Sequence, residues 1–203
     1  MLNETEKMDK DFINNYPIIE LDKSKSLTIS SEREKQDIPK YLTADEINQR
    51  LSQMKAGQDM MLITFLWLSG VRISEAVSLK KGDIDFNSNL MTVRWLKSRK
   101  YKNRVVPIHR RLSGLLKFYV GNMNQEDIVF PISRQRAFQI TKQHLNCSPH
   151  QLRHSFAVNW LKHNGDIVVL HRILGHSKIQ TTMEYLKIVP IDQAKELDKI
   201  KFD

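Results

Sequence analysis

A single cysteine, Cys147, is present in the whole chain. No disulfide can close within it, and the reducing cytoplasm is the expected compartment. Glycine and proline are scarce as well, at seven and six residues among 203. With 40% hydrophobic and 27% charged residues, that balance excludes collagen-like, mucin-like and wholly disordered chains. Long apolar runs are missing too. The longest nearly unbroken one, "MMLITFLWL" at residues 60–68, falls far short of the roughly 20 residues that a membrane-spanning helix needs. It is expected to form a buried helix, and no membrane partner is expected. The amino terminus, "MLNETEKMDK", is polar and of mixed charge and lacks the apolar centre of a signal peptide. No internal repeat or low-complexity tract stands out.

Acidic residues are in deficit, 23 against 32 lysines and arginines, for a formal net charge of +9. The deficit is local. Residues 1–40 hold seven basic and nine acidic side chains, leaving 25 basic against 14 acidic in residues 41–203. A domain this basic meets phosphate, in nucleic acid or on an anionic surface, unless it is merely a basic soluble protein. Charge names a partner class and no reaction.

The length suits one well-buried domain with something appended. Residues 1–40 read as an arm or linker, polar and without sustained periodicity. From Tyr41 the pattern is ordered. Thr43 is a plausible N-cap for a helix carrying Ile47 and Leu51 on one face. The helix over 60–68 should end at Gly70, and a short one should run from about Ile73 to Leu79. "LMTVRWL" (90–96) and "RVVPI" (104–108) predict a β-hairpin around the cationic loop "KSRKYKN". Helices are expected again at about 110–121, 134–145 and 149–163, the last with Ser148 as N-cap and Pro149 in its first turn. Asp166 can cap another to Leu174, and one more should cover about 179–187. The expected class is mainly α with a small antiparallel β-sheet (α+β).

In "SPHQLRHSF", His150 and His154 stand four apart, as two zinc ligands on one helical face would. Gln151 stands where a metalloprotease motif needs its glutamate, however, and the cationic Arg153 lies between the supposed ligands, with His171 or His176 as a conceivable third. His150 and Arg153 stand three apart, as two phosphate-handling groups would. Breaking a phosphodiester without a metal requires fixed cations for the charged oxygens, a nucleophile and groups that move protons. Arg72 at a helix entry, with Glu75 three residues on, supplies one cation and its anchor. "LGHSKIQTTMEYL" adds His176 and Tyr185. Each has a plainer reading, as a surface ion pair, a helix-end histidine or a half-buried tyrosine.

Together and in order, "GVRISE", "HQLRHSF" and "LGHSKIQTTMEYL" resemble the three signature boxes of the tyrosine recombinases, or phage integrase family, over about residues 41–187. The resemblance implies the catalytic-domain fold of that family and a site-specific DNA breaking and rejoining activity. It implies that Tyr185 attacks the scissile phosphate to form a 3′-phosphotyrosyl bond. Arg72 and Arg153 would clamp the non-bridging oxygens, His150 would handle the tyrosine proton, His176 would hydrogen-bond the phosphate, and Glu75 would hold Arg72, leaving His154 to pack or cap nearby. A hairpin lysine would protonate the leaving 5′-oxygen; Lys97 is favoured and Lys100 is its rival. Arg99, Lys100, Lys102, Arg134 and Arg136 are candidates for DNA-backbone contact. No cofactor or metal is expected, because the covalent link conserves the phosphodiester energy. The implied partners are double-stranded DNA and further copies of the chain, as a tetramer on two duplexes, and the implied location is the cytoplasm, on DNA.

Members of that family commonly carry a separate helical domain before the catalytic one. "NNYPIIELDKSKS" resembles its tail, so the chain is either a catalytic fragment or a short single-domain recombinase. Residues 188–203 are expected to form a tail helix, docked on a neighbouring subunit or packed on its own. Integration, excision, inversion and dimer resolution all stay open. A type IB topoisomerase and an inactive DNA-binding module are the competing readings.

Overall fold

In the computed structural model, residues 40–97 and 100–189 are described, with the side chains of 95–97 and 100–102 left aside. The expected arm (1–40) thus lies almost wholly outside the described residues, as do Arg99 and most of the tail at 188–203. The order is α1 (Ala44–Ser52), α2 (Gln58–Ser69), α3 (Ile73–Ala76), a 3₁₀ turn (Lys81–Asp83), β1 (Ile84–Asp85), β2 (Leu90–Lys97), β3 (Lys100–Pro107), α4 (Arg110–Tyr119), α5 (Arg134–Leu145), α6 (Pro149–Lys162), α7 (Ile167–Leu174), α8 (Gln180–Met183) and a 3₁₀ turn (Glu184–Lys187). No helix among the described residues is long and apolar enough to cross a membrane.

The helix starts follow local chemistry. Thr43 and Glu46 close a capping box on α1, and Asp166 accepts from the Val169 N–H at 2.8 Å to start α7. At α6, the Ser148 hydroxyl oxygen accepts from the Gln151 N–H at 3.2 Å, and Gln151 Oε1 accepts from the Ser148 N–H at 2.8 Å. Gln151 is therefore a capping residue. Short helices depart from expectation. The one expected from Ile73 to Leu79 stops at Ala76, and the one expected at 179–187 tightens into 3₁₀ geometry from Glu184.

The hairpin needs the larger correction. Antiparallel pairing runs from Leu90↔Pro107 through to Lys97↔Lys100, so only residues 98 and 99 lie between the strands. The basic run "KSRKYKN" is mostly strand, because cross-strand backbone bonding does not require apolar side chains and a two-residue connection is a favoured hairpin form. Lys97, Lys100 and Lys102 consequently sit on strands. β1 adds a third strand, order β1-β2-β3; two residues are too short to show alternation.

α2 is buried almost all round, from Met61 to Trp67, as its unbroken apolar run requires. It lies in the main core with Ile47, Val93, Val106, Leu112, Phe130, Ile140 and Leu152. A second cluster joins Ala157, Val158 and Leu161 of α6 to Leu170 and Leu174 of α7 and to Tyr185. α6 thus serves both clusters and also carries His150, Arg153 and His154.

α2 and α7 both end on a glycine in the left-handed region, Gly70 and Gly175, each at φ 62°. At Gly70 a Cβ would also run into the Phe156 ring. Gly70→Ala is expected to destabilise the fold by more than about 1 kcal/mol, read as a lower urea midpoint at unchanged slope.

Candidate active site

The C-terminus of α7 gathers three arginines. Arg104 Nε donates to the Ile173 carbonyl at 2.9 Å, Arg153 Nη2 to that of Leu174 at 2.6 Å, and Arg72 Nη2 to that of Gly175 at 3.3 Å. Helix ends leave such carbonyls unpaired and partly negative, so cations settle on them. Arg153 also donates to the Gly70 carbonyl at 2.6 Å and so bridges the ends of α2 and α7 from α6. Left-handed glycines turn both chain ends away there, which lets a guanidinium reach the carbonyls.

A carboxylate pairs with two of these cations. Glu75, with a fully buried side chain, receives Arg104 in a forked pair at 2.6 and 2.8 Å and Arg72 Nη1 at 3.1 Å. Its Oε2 also accepts the Arg72 N–H at 2.8 Å. Burial alone would raise its pKa, but the Arg104 hydrogen bonds and charge, the Arg72 N–H and the Arg72 charge outweigh that and hold it low. Burial, then the Arg72 charge, push Arg153 down to about 9 while Glu75 pulls upward, so Arg153 stays charged at neutral pH. Arg72 and Arg104 thus pair with Glu75, while the Gly70 and Leu174 carbonyls hold Arg153 beside them.

Arg72, His150 and Arg153 line an open cleft of about 540 Å³ together with Arg134, Gln135 and Phe138. Arg134 therefore faces the candidate site. Arg136 does not line this cleft and pairs instead with Asp59 at 3.5 Å.

Tyr185 is buried, 3% exposed, and its hydroxyl lies 2.7 Å from His154 Nδ1. Burial raises the phenol pKa, opposed by the Arg153 charge. His154, expected only to pack or cap nearby, is thus the residue that meets the phenol. Its ring stands edge-on to that of His150, centroids 4.5 Å apart. Burial, the His150 ring and the Arg153 charge push His154 down to about 4; burial and the charges of Arg153 and Arg72 lower His150 and take His176 to about 3. His154 and His176 are therefore neutral at pH 7. Cys147, buried with its thiol pushed up to about 11 by burial, is no competing nucleophile.

The structure brings together Arg72, Glu75, His150, Arg153, His176 and Tyr185, and adds Arg104, which sequence reasoning left out, and His154, to which it gave no part in phosphate chemistry. The side chains of Lys97, Lys100 and Lys102 and the whole of Arg99 lie outside the described residues. Among the described residues, no group of three or more His, Cys, Asp or Glu side chains is placed to hold a metal ion.

Comparison with known proteins places the chain in a family and its fold among solved structures. A family model described as "Phage integrase family" matches residues 40–190. The chain is 29% identical to tyrosine recombinase XerA of Pyrococcus horikoshii over 179 residues, covering 81% of this chain and 62% of that protein. It is 30% identical to XerA of Thermococcus kodakarensis over 181 residues, covering 81% and 64%. The chain spans less than two thirds of the length of these relatives. Among solved structures, a XerA recombinase superposes with a TM-score of 0.66 at 23% identity, over 85% of this chain and 66% of that one. The catalytic domain of bacteriophage HP1 integrase superposes with 0.62 at 24% identity, over 78% and 94%. The XerH site-specific recombinase bound to a palindromic difH substrate reaches 0.62 at 19% identity, over 80% and 53%.

Proposed function

The chain belongs to the phage integrase family, and from that premise we propose that it cleaves and rejoins double-stranded DNA at specific sites through a 3′-phosphotyrosyl bond on Tyr185. The observation that carries the proposal is the convergence of Arg72 and Arg153 on one helix end, beside a buried phenol already hydrogen-bonded to a neutral imidazole.

Arg72 and Arg153 clamp the non-bridging oxygens of the scissile phosphate. The phenol proton passes to His154 Nδ1, its immediate neighbour, with His150 behind it. The phenol oxygen bonds phosphorus, the bond to the 5′-oxygen breaks, and a hairpin lysine returns a proton to that oxygen, with Lys97 first in line and Lys100 its rival. His176 donates to a non-bridging oxygen. Rejoining reverses these steps. Arg134, in the same cleft, and Arg99, Lys100, Lys102 and Arg136 contact the DNA backbone. Residues 41–187 are the catalytic unit, with 1–40 as an arm or linker and 188–203 as a tail, and four copies act on two duplexes.

The test uses the full chain and a pool of nicked, end-labelled duplexes with randomised arms, so that the freed fragment diffuses away and traps the intermediate. A covalent adduct at a 3′-phosphate is expected, formed equally well in EDTA. No adduct from a folded protein across the pool would sink the proposal. An adduct that vanished with chelator would replace it with metal-dependent chemistry. Relaxation of supercoiled plasmid without strand exchange would favour the topoisomerase reading.

A further inference from the structure

Thr182 is fully buried on α8, three residues before Tyr185. Its hydroxyl oxygen lies 2.9 Å from His176 Nδ1 and 3.1 Å from Nδ1 of His171 on α7. Two imidazoles, with ring centroids 6.5 Å apart, therefore share one hydroxyl. A threonine hydroxyl has a single proton to give and two lone pairs to receive with. It cannot donate to both rings, so at least one Nδ1 must carry a proton and donate to it.

The direction matters for the phosphate. Burial and the charges of Arg153 and Arg72 keep the His176 ring neutral, so only one of its nitrogens is protonated. With the proton on Nδ1, Nε2 would offer a bare lone pair to a phosphate oxygen, and the two would repel. With the Thr182 hydroxyl donating to Nδ1, Nε2 holds the proton and can donate it.

We infer that His171 and Thr182 are positioning residues that set the tautomer of His176: His171 Nδ1–H donates to the Thr182 oxygen, the Thr182 hydroxyl donates to His176 Nδ1, and His176 presents Nε2–H to the scissile phosphate. The inference rests on the proposed role of His176 as a phosphate donor. Water does not compete at a buried hydroxyl, and a β-branched side chain has few rotamers to lose. Because Thr182 and Tyr185 lie on one short segment, that segment supplies the nucleophile and also aims the donor.

Two-bond nitrogen–proton NMR on the full chain, with His176 assigned through His176→Asn, is expected to show the Nε2–H form. Thr182→Val keeps the shape and removes the hydroxyl. It should lose that tautomer preference and slow single-turnover adduct formation about 10–100-fold, taking the scale from loss of a group that orients a metal-bound histidine. DNA affinity should stay within about twofold, since the phosphate contacts of the arginines are untouched. Thr182→Ser should restore both tautomer and rate, and His171→Leu should reproduce the Val defect. An Nδ1–H tautomer in the wild type, or wild-type rates in both Thr182→Val and His171→Leu, would overturn the inference. The spectrum is read without DNA. An absence of any adduct from the wild type would thus count against the proposed function and leave the tautomer measurement standing.

Discussion

Tyr185→Phe is expected to abolish the covalent protein–DNA adduct, by at least about 10⁴-fold, the scale on which removal of a nucleophile acts. The substitution tests chemistry with little cost to the fold. The ring packs among Ala157, Val158, Leu161, Leu170 and Leu174, and phenylalanine keeps that packing. Only the hydroxyl is lost, and with it the 2.7 Å contact to His154 Nδ1. Leaving a half-buried acceptor unpaired costs about 1–3 kcal/mol at most, which a urea titration of the variant will read. The wild-type phenol also needs its neighbours. Burial holds its pKa above the ordinary tyrosine value, so it is protonated at neutral pH, and the proposed attack requires it to shed that proton. An adduct that survived in the phenylalanine variant would move the nucleophile elsewhere.

Glu75→Gln is expected to destabilise the folded protein by about 3–5 kcal/mol, the cost of removing one partner from a buried ion pair. The carboxylate is fully buried and the Arg104 side chain is only 9% exposed, although Arg72 at 36% keeps some access to water. An amide would also turn an N–H₂ toward guanidinium donors. Adduct formation should slow too, because Glu75 binds Arg72 through both its backbone N–H and its Nη1. The pH dependence carries a sign. Glu75 has a folded pKa below its unfolded one, so its stabilisation is present above the ordinary glutamate value of about 4.3. It is lost as pH falls through the depressed folded value. Chemical denaturation from pH 7 downward should show the wild type surrendering that increment in acid, while the glutamine variant, which never had it, shows a shallower decline. Equal stability of the two at pH 7 would remove Glu75 from its place at the centre of the arginine cluster.

Much of the scaffold was legible because its causes are local. Thr43, Ser148 and Asp166 start helices through bonds to backbone three residues away. Gly70 ends one with a single left-handed residue, and "MMLITFLWL" is a buried helix because it has no polar face to show. Where the cause was not local, expectation fell short. The hairpin pairs through its basic run by backbone bonds that side-chain composition does not signal. His154 looked like a spare histidine because its partner, Tyr185, is 31 positions away.

The amino-acid order by itself determined the longer helices, the presence of a hairpin, the excess of positive charge and the three boxes that resemble the family's. Tertiary structure alone decided that Arg104 joins the cluster and that three arginines share one helix end. It also decided that a threonine hydroxyl stands between two histidines. The physical reason is that the arginines' partners at Gly70, Ile173, Leu174 and Gly175 are backbone carbonyls, 21 to 103 positions distant. Every residue has such a carbonyl, so only folding can say which ones face a guanidinium.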